Sequence, residues 1–266
     1  MSTLELEHIK HADLASGNNI SLTSAGNVGV GVTPETWHSN ATSLQVGDLG
    51  ALWVYDDNSN PEQLILSENV YSGVSATQKY IQTDYASSHM QRHGAHTFYV
   101  ASSGTADAAI TWTTGFEVLN DGKARAKNGL LFGTDTAATN TLDDYEEGTW
   151  TGTLTNVAGS VSNTSYTKIG RLVYVTGHLV CTATATGDVQ INGLPYAQKP
   201  SSNGIGTCMN YLVNVAGGST YNFSTYLTGS GLRFYRSEDN SPWLWAGASS
   251  LYNGAQILFN LTYQTT

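Results

Sequence analysis

Two stretches near the C-terminal end constrain the fold most. In RLVYVTGHLVCTATAT (171–186), Val173, Val175, Leu179, Cys181, Ala183 and Ala185 fall on one side of an extended chain. Tyr174, Thr176, His178, Thr182 and Thr184 fall on the other. In QILFNLTYQ (256–264), Ile257, Phe259, Leu261 and Tyr263 oppose Gln256, Asn260, Thr262 and Gln264. A period of two is the side-chain period of a β-strand. Runs of this length with one apolar side predict antiparallel strands that lay one face on a core. Composition extends the reading to the whole chain of 266 residues, which has 28 Gly, 15 Tyr, 6 Trp and only 12% charged residues. Ser, Thr, Asn and Gly compete poorly inside helices, whereas Tyr, Trp and Thr suit pleated, half-buried surfaces. The chain therefore reads as all-β. Frequent turn signals, such as Gly193-Leu194-Pro195 and Gly217-Gly218, predict a β-sandwich of jelly-roll type for its C-terminal part.

Three zones follow one another. Residues 1–33 begin with Leu4, Leu6 and Ile9 spaced among charges and continue with alternating Ile20, Leu22, Val28, Val30 and Val32 around a turn at Ser24–Asn27. Residues 34–139 carry short apolar bursts, among them ALWVYDD (51–57), QLILSE (63–68) and HTFYVASSG (96–104), and a hairpin signal at Asn120-Asp121-Gly122. Residues 140–266 hold the long alternations. The middle bursts are too short to bury much surface in a single chain, and partners of identical sequence, covering the same stripe repeatedly, answer that need.

The net charge of −10, from 11 Lys+Arg against 21 Asp+Glu, excludes phosphate-backbone binding and docking to anionic lipid. No apolar run approaches the length of a membrane span, so membrane insertion is not expected. MSTLELEHIKHADL lacks the apolar core and basic flank of a secretion signal, so synthesis in a cytoplasm is expected. Cys181 and Cys208 make no disulfide framework. A surface poor in charge and rich in hydroxyls, amides and aromatics suits glycans or burial between subunits.

Three elements carry a resemblance. SAGNVGVGVTPETW resembles the "SxGNVGIG…P" element of bacteriophage tail-fibre and marine viral fibre proteins. QRHGAHTFYVASSGTADAAITW resembles a companion shaft element, "NGxHxWYxAPSGTAGNAIxF". LDDYEEGTWTGTLT, followed by SYTKIGRLVYVTGHL and INGLPY, resembles the C-terminal head, "LDDYEEGTWTPxL…YTKIGxxVxVxG…IxGLPF". Together they cover most of residues 24–196. The resemblance implies an elongated, homotrimeric β fibre on the virion surface. In it, residues 1–33 form a virion-attachment segment bound to a tail or baseplate protein through Leu4, Leu6 and Ile9. Residues 34–139 form a short β shaft, and residues 140–266 form a β-sandwich head that attaches to a host-cell glycan or outer-membrane protein. A structural or capsid-decorating fibre without receptor specificity, and a capsule-degrading spike enzyme, are the alternatives. A single GNVGVG-type element implies a short fibre.

The candidate chemistry is sparse. TLDDYEEGTW (141–150) gathers Asp143, Asp144, Glu146 and Glu147 around Tyr145, with Trp150 after them. Carboxylates held across a sugar can hydrolyse glycosides, and carboxylate oxygens can hold Ca²⁺ or Mg²⁺. The context favours a structural shaft–head junction instead, anchored by burial of Tyr145 and Trp150, with Lys168 or Arg171 as cationic partners. DDNSNPE (56–62) fails as an EF-hand because Pro61 stands where the loop needs Gly and Ser67 where it needs Glu. His89, His93 and His96 have helical ligand spacing, but the segment reads as strand and turn, so surface or interchain hydrogen bonding is expected. GVGVTP (29–34) lacks dinucleotide-loop spacing, and no nucleophile motif is present. No enzymatic activity, cofactor or metal is therefore expected. Aromatics crowd the distal segment: Tyr211, Tyr221, Phe223, Tyr226, Phe234, Tyr235, Trp243, Trp245 and Tyr252. The candidate ligand-binding set is Tyr235, Arg236, Glu238, Asp239, Asn240, Trp243, Trp245 and Tyr252, because RSEDNSPWLWAG joins aromatic faces to polar groups in a loop-like stretch.

Overall fold

The computed structural model describes residues 8–9, 20–57, 62–214, 223–229, 231–237 and 240–266. These residues are all-β, apart from one 3-10 turn at Ala138–Asn140, and they fall into two units, Met1–Asn128 and Gly129–Thr266. The first unit thus takes in both the segment 1–33 and most of the zone 34–139 that the sequence separates. Val28, Gly29 and Val30 join them by pairing in parallel with Leu44, Gln45 and Val46. The boundary falls before residue 139 because Leu130 and Leu142 exchange backbone hydrogen bonds of 3.0 and 2.9 Å, which ties residues 129–142 to the second unit.

In the first unit, one sheet runs β1 (His8–Ile9), β2 (Ile20–Leu22), β3 (Val28–Val30), β4 (Ala41–Val46), β5 (Gly50–Tyr55), β6 (Gln63–Glu68), β9 (Asp84–Arg92), β10 (Ala95–Gly104), β11 (Thr113–Val118) and β12 (Ala124–Ala126). A small hairpin, β7 (Val70–Ser72) with β8 (Gln78–Tyr80), interrupts the chain between β6 and β9. The turns follow the sequence signals. Thr23 N–H donates to Asn27 O at 2.9 Å around Gly26, and Gly122 N–H donates to Leu119 O at 2.9 Å. His93 and Gly94 both take positive φ, 51° and 74°, as a two-residue hairpin turn requires.

One sheet face packs against the hairpin. Trp37, Tyr71 and Tyr80 cover Ala41, Ala51, Trp53, Ile65, Ala86 and Ala101 there. Much of this interior is polar and hydrogen-bonded. Trp53 Nε1–H donates to Ser67 Oγ (3.0 Å), Trp37 Nε1–H and the Glu35 N–H both donate to Gln45 Oε1, and Ser43 bonds Asn27 Oδ1 through N–H and Oγ–H. Buried Asn69, at φ 59°, accepts from Gln82 N–H (2.7 Å) and donates to the carbonyls of Gln82 and Tyr85.

The second unit is a single path of strands: β13 (Tyr145–Gly148), β15 (Gly159–Ile169), β16 (Leu172–Cys181), β22 (Gln256–Gln264), β18 (Gly204–Tyr211), β19 (Phe223–Thr228), β20 (Gly231–Arg236), β17 (Gln190–Asn192) and β14 (Thr153–Thr155), with β21 (Leu244–Trp245) paired to β20. Every pairing in it is antiparallel. The predicted sandwich is thus replaced by one continuous sheet, because β18 pairs with β22 on one side and β19 on the other. Val173 and Ile257 on the neighbouring β16 and β22 share one buried cluster with Ile191 and Leu232 on β17 and β20, further along the path, so the sheet curls around its core. The alternations at 171–186 and 256–264 face as the sequence predicts: Val173, Val175, Leu179, Ile257 and Leu261 have no exposed surface. Gly177 sits directly opposite Phe259, where a Cβ would lie 2.5 Å from the ring.

Candidate functional site

The outer face of β18, β19 and β20 carries the most chemically equipped surface. Alternation decides which side chains reach it. Phe223, Leu227, Leu232 and Phe234 turn inward and are buried. Ser224, Tyr226, Arg233 and Tyr235 consequently turn outward. Register places Tyr226 opposite Ile205 on one side and Arg233 on the other. A groove of about 450 Å³ lies among Asn203, Ile205, Ser224, Tyr226, Tyr235 and Trp243, a size within the roughly 300–1,000 Å³ of small-molecule sites.

Its walls are aromatic rings in edge-on and tilted contact. Tyr226 meets Tyr235 edge-on, with centroids 5.6 Å apart at 88°, and meets Trp243 at 6.3 Å. Tyr235 rests edge-on against Trp245 at 5.5 Å, and the Arg233 guanidinium lies 4.0 Å from the Trp245 ring centroid. That cation–π contact, together with the hydrogen bond from Arg233 Nε–H to Gln190 Oε1 (3.0 Å), fixes Arg233. Tyr226 OH donates to Asn203 Oδ1 at 2.9 Å, so the ring is held at its polar end. Burial pushes the Tyr235 hydroxyl above its ordinary pKa, against the opposing pull of Arg233, so it stays a neutral donor and acceptor. Trp243 is 68% exposed and presents an open aromatic face.

The predicted ligand residues separate here. Tyr235 and Trp243 line the groove, and Trp245 supports it from behind Tyr235. Arg236 does not belong to it. It is only 6% exposed, turns inward with Leu232 and Phe234, and donates through Nη1 to Ser250 Oγ at 3.0 Å. Asn240 occupies an exposed turn at φ 51° and lines no part of the groove. Tyr252 lies outside it too, with its hydroxyl 3.5 Å from Asn214 Nδ2. Glu238 and Asp239 lie outside the described residues, as do Tyr221 and the attachment candidates Leu4 and Leu6; of Ile9 the backbone is described, in β1. Asn203, Ile205 and Ser224 are contributors that the sequence reading missed. Their signal is register, since GIGTCMNY alternates Gly inward against Ile outward only once β22 is known to lie beside it.

The acidic cluster of 143–147 lies at one edge of the second unit's sheet. β13 pairs with β15, which puts Glu146 opposite Lys168. Lys168 is buried, ion-paired with Asp144, and 5.2 Å from the Tyr196 ring centroid. Tyr196 OH donates to Glu146 and Tyr145 OH to Glu147. Both hydroxyls are pushed up in pKa, first by those hydrogen bonds to carboxylates. The expected burial of Tyr145 is corrected: it is 60% exposed, because its strand lies at the sheet edge. Trp150 is buried and donates through Nε1 to Thr176 O at 3.0 Å. His89 and His96 face each other across β9 and β10, with Nε2 and Nδ1 3.2 Å apart, while His93 occupies the turn. Among the described residues, no group of three or more His, Cys, Asp or Glu could hold a metal ion, and no helix is long and apolar enough to cross a membrane. Burial raises the thiol pKa of Cys181, and that of Cys208 to about 12, which keeps both unreactive near neutral pH.

No family model and no curated protein matches this chain. Among solved structures it is similar to the one titled "Crystal structure of Dettilon tailspike protein (gp208)", at 13% identity and a TM-score of 0.37, over 45% of this chain and 24% of that one. A likeness of that extent carries no argument about fold or function.

Proposed function

We propose that the chain is a fibre or spike component of a bacteriophage virion that adheres to a bacterial surface, with a glycan held in the Tyr226–Tyr235–Trp243 groove. The observation that carries the ligand class is that groove: the open face of Trp243 and the half-buried rings of Tyr226 and Tyr235 beside amide and hydroxyl groups. Aromatic faces pack against the C–H faces of sugar rings, and Asn203, Ser224 and the Tyr235 hydroxyl offer hydrogen bonds to the ring hydroxyls. The ordered fibre-like motifs support the virion assignment. Assembly of three copies, which the motifs imply, would multiply a weak site by avidity on a dense surface. The cluster of 143–147 supports adhesion over hydrolysis, because Asp144, Glu146 and Glu147 are engaged by Lys168, Tyr196 and Tyr145.

The test is binding of the purified chain to immobilised bacterial surface polysaccharides, with Trp243→Ala and Tyr226→Ala alongside. Each variant should lose at least tenfold in apparent affinity; Trp243→Ala, at an exposed site, should change stability by less than about 0.5 kcal/mol, and half-buried Tyr226→Ala should cost about 1–2 kcal/mol while leaving the chain folded. Equal binding by both variants removes the groove from the reading. Release of new reducing ends from the polysaccharide favours the enzyme alternative.

A further inference from the structure

The first unit places its large aliphatic side chains on the side its own hairpin does not cover. Alternation in β4, β5, β6 and β10 sends Ser43, Gln45, Trp53, Ser67 and Thr97 inward, where they are buried. The same alternation sends Leu44, Leu52, Leu66 and Phe98 outward. Register then lines them up: Leu44 opposite Leu52, Leu52 opposite Leu66, Leu66 opposite His89, His89 opposite Phe98, and Phe98 opposite Phe116. Val54 and Leu64 form a second row, Val46 and Val100 flank the first, and Val30 and Leu22 continue the face across β3 and β2. Each of these eleven aliphatic and aromatic side chains is 37–59% exposed.

We infer that this face is a self-association interface whose occupant is a second copy of the chain. The inference rests on the assembled state proposed above and names the surface that makes it. Three observations fit a copy. The first is size. The open apolar surface is on the order of 800 Å², the share per partner of a standard specific interface, and exceeds the roughly 300–600 Å² of the largest patch on an ordinary monomer. The second is preparation for burial. His89 and His96, polar groups in the centre of the face, share a hydrogen bond at 3.2 Å that uses one ring nitrogen of each, and His89 stacks on Phe98 with centroids 4.3 Å apart at 3°. Covering them therefore costs less than covering two unpaired imidazoles. Glu68, at the rim, is the one charged side chain that β4, β5, β6, β9 and β10 turn to this side, and Ser87 Oγ–H donates to it at 3.2 Å. The third is self-complementary relief. A depression of about 470 Å³ lies among Leu66, His89, Phe98 and Val100, and exposed Val46 and Leu52 lie elsewhere on the same face, so one copy offers both a hollow and apolar side chains to enter it, as a symmetric contact needs. A copy is also the partner present in equal number wherever the chain is made.

The test is solution mass. The unaltered chain should run as an oligomer, and Leu52→Lys with Leu66→Lys should reduce it to 28.4 kDa, while Trp243→Ala leaves it assembled. An assembled double variant overturns this interface and leaves the proposed function standing. A monomeric unaltered chain overturns both the interface and the assembled state, and leaves the groove to its own test. Should the double variant fail to fold, Leu66→Cys keeps the inference open to refutation. Its thiol should be alkylated at least tenfold more slowly in the native assembly than Ser75→Cys, on the exposed hairpin tip, and equal rates overturn it.

Discussion

In the second unit, Phe234, Phe259 and Leu261 are sealed inside a curled sheet, while the outer face mixes Leu258 and Met209 with Asn260, Thr262 and Gln256. The first unit reverses much of this. Its enclosed side is stitched by Gln45, Ser67 and Asn69, and its open side carries rows of Leu and Val. The difference teaches what each unit relies on. The second closes its hydrophobic effect within one chain. The first holds its shape through side-chain hydrogen bonds and aromatics in tilted and edge-on contact, and leaves most of its large aliphatic side chains exposed.

The contrast can be broken most forcefully at Phe259. Phe259→Ala should cost the second unit about 3–5 kcal/mol, read as lost hydrogen-exchange protection confined to residues 129–266. Equal loss of protection in both units would end the idea that the second has its own core. At Asn69 the expected cost is about 2–3 kcal/mol, because Asn69→Ala leaves the Gln82 N–H and two carbonyls without partners. A denaturation midpoint unchanged by Asn69→Ala would contradict a hydrogen-bonded interior in the first unit.

The smallest effect concerns Glu35, whose carboxyl is pushed above its ordinary pKa by burial and then by the negative charge of Asp107. A raised folded pKa means that the protonated form favours folding: the contribution is fully present below the unfolded pKa and is lost as pH rises through the folded value. Glu35→Gln should therefore raise the melting midpoint of the first unit slightly at neutral pH, and the gain should shrink as pH falls through the raised folded value and be gone below the ordinary 4.5. A gain independent of pH would mean that the charge of Glu35 is not what matters.

Much of the second unit was legible because its strands carry a one-sided alternation. In QILFNLTYQ one face is wholly apolar and the other polar but for Leu258, so face and period are read together. ALWVYDD offers no such sign, since Ala51, Trp53 and Tyr55 compete with Leu52 and Val54, and the large aliphatics ended outside. Period two gives the strand, but only the position of Trp37, Tyr71 and Tyr80 decides which face is covered. The single curled sheet was hidden for a related reason, since β18 bridges β22 and β19 through contacts distant in sequence. Within the binding groove, Tyr235 and Trp243 stood out as aromatics in a polar stretch, while Asn203 and Ser224 became visible through register alone. Arg236 was within reach of the sequence: GLRFYR alternates Leu232, Phe234 and Arg236 on one side, and that pattern argued for burial.

The mass of the unaltered chain tests the first unit's open face most directly. Sedimentation equilibrium at low micromolar concentration should return a multiple of 28.4 kDa with no monomer at the dilute end of the cell. A single species of 28.4 kDa across the cell would contradict it.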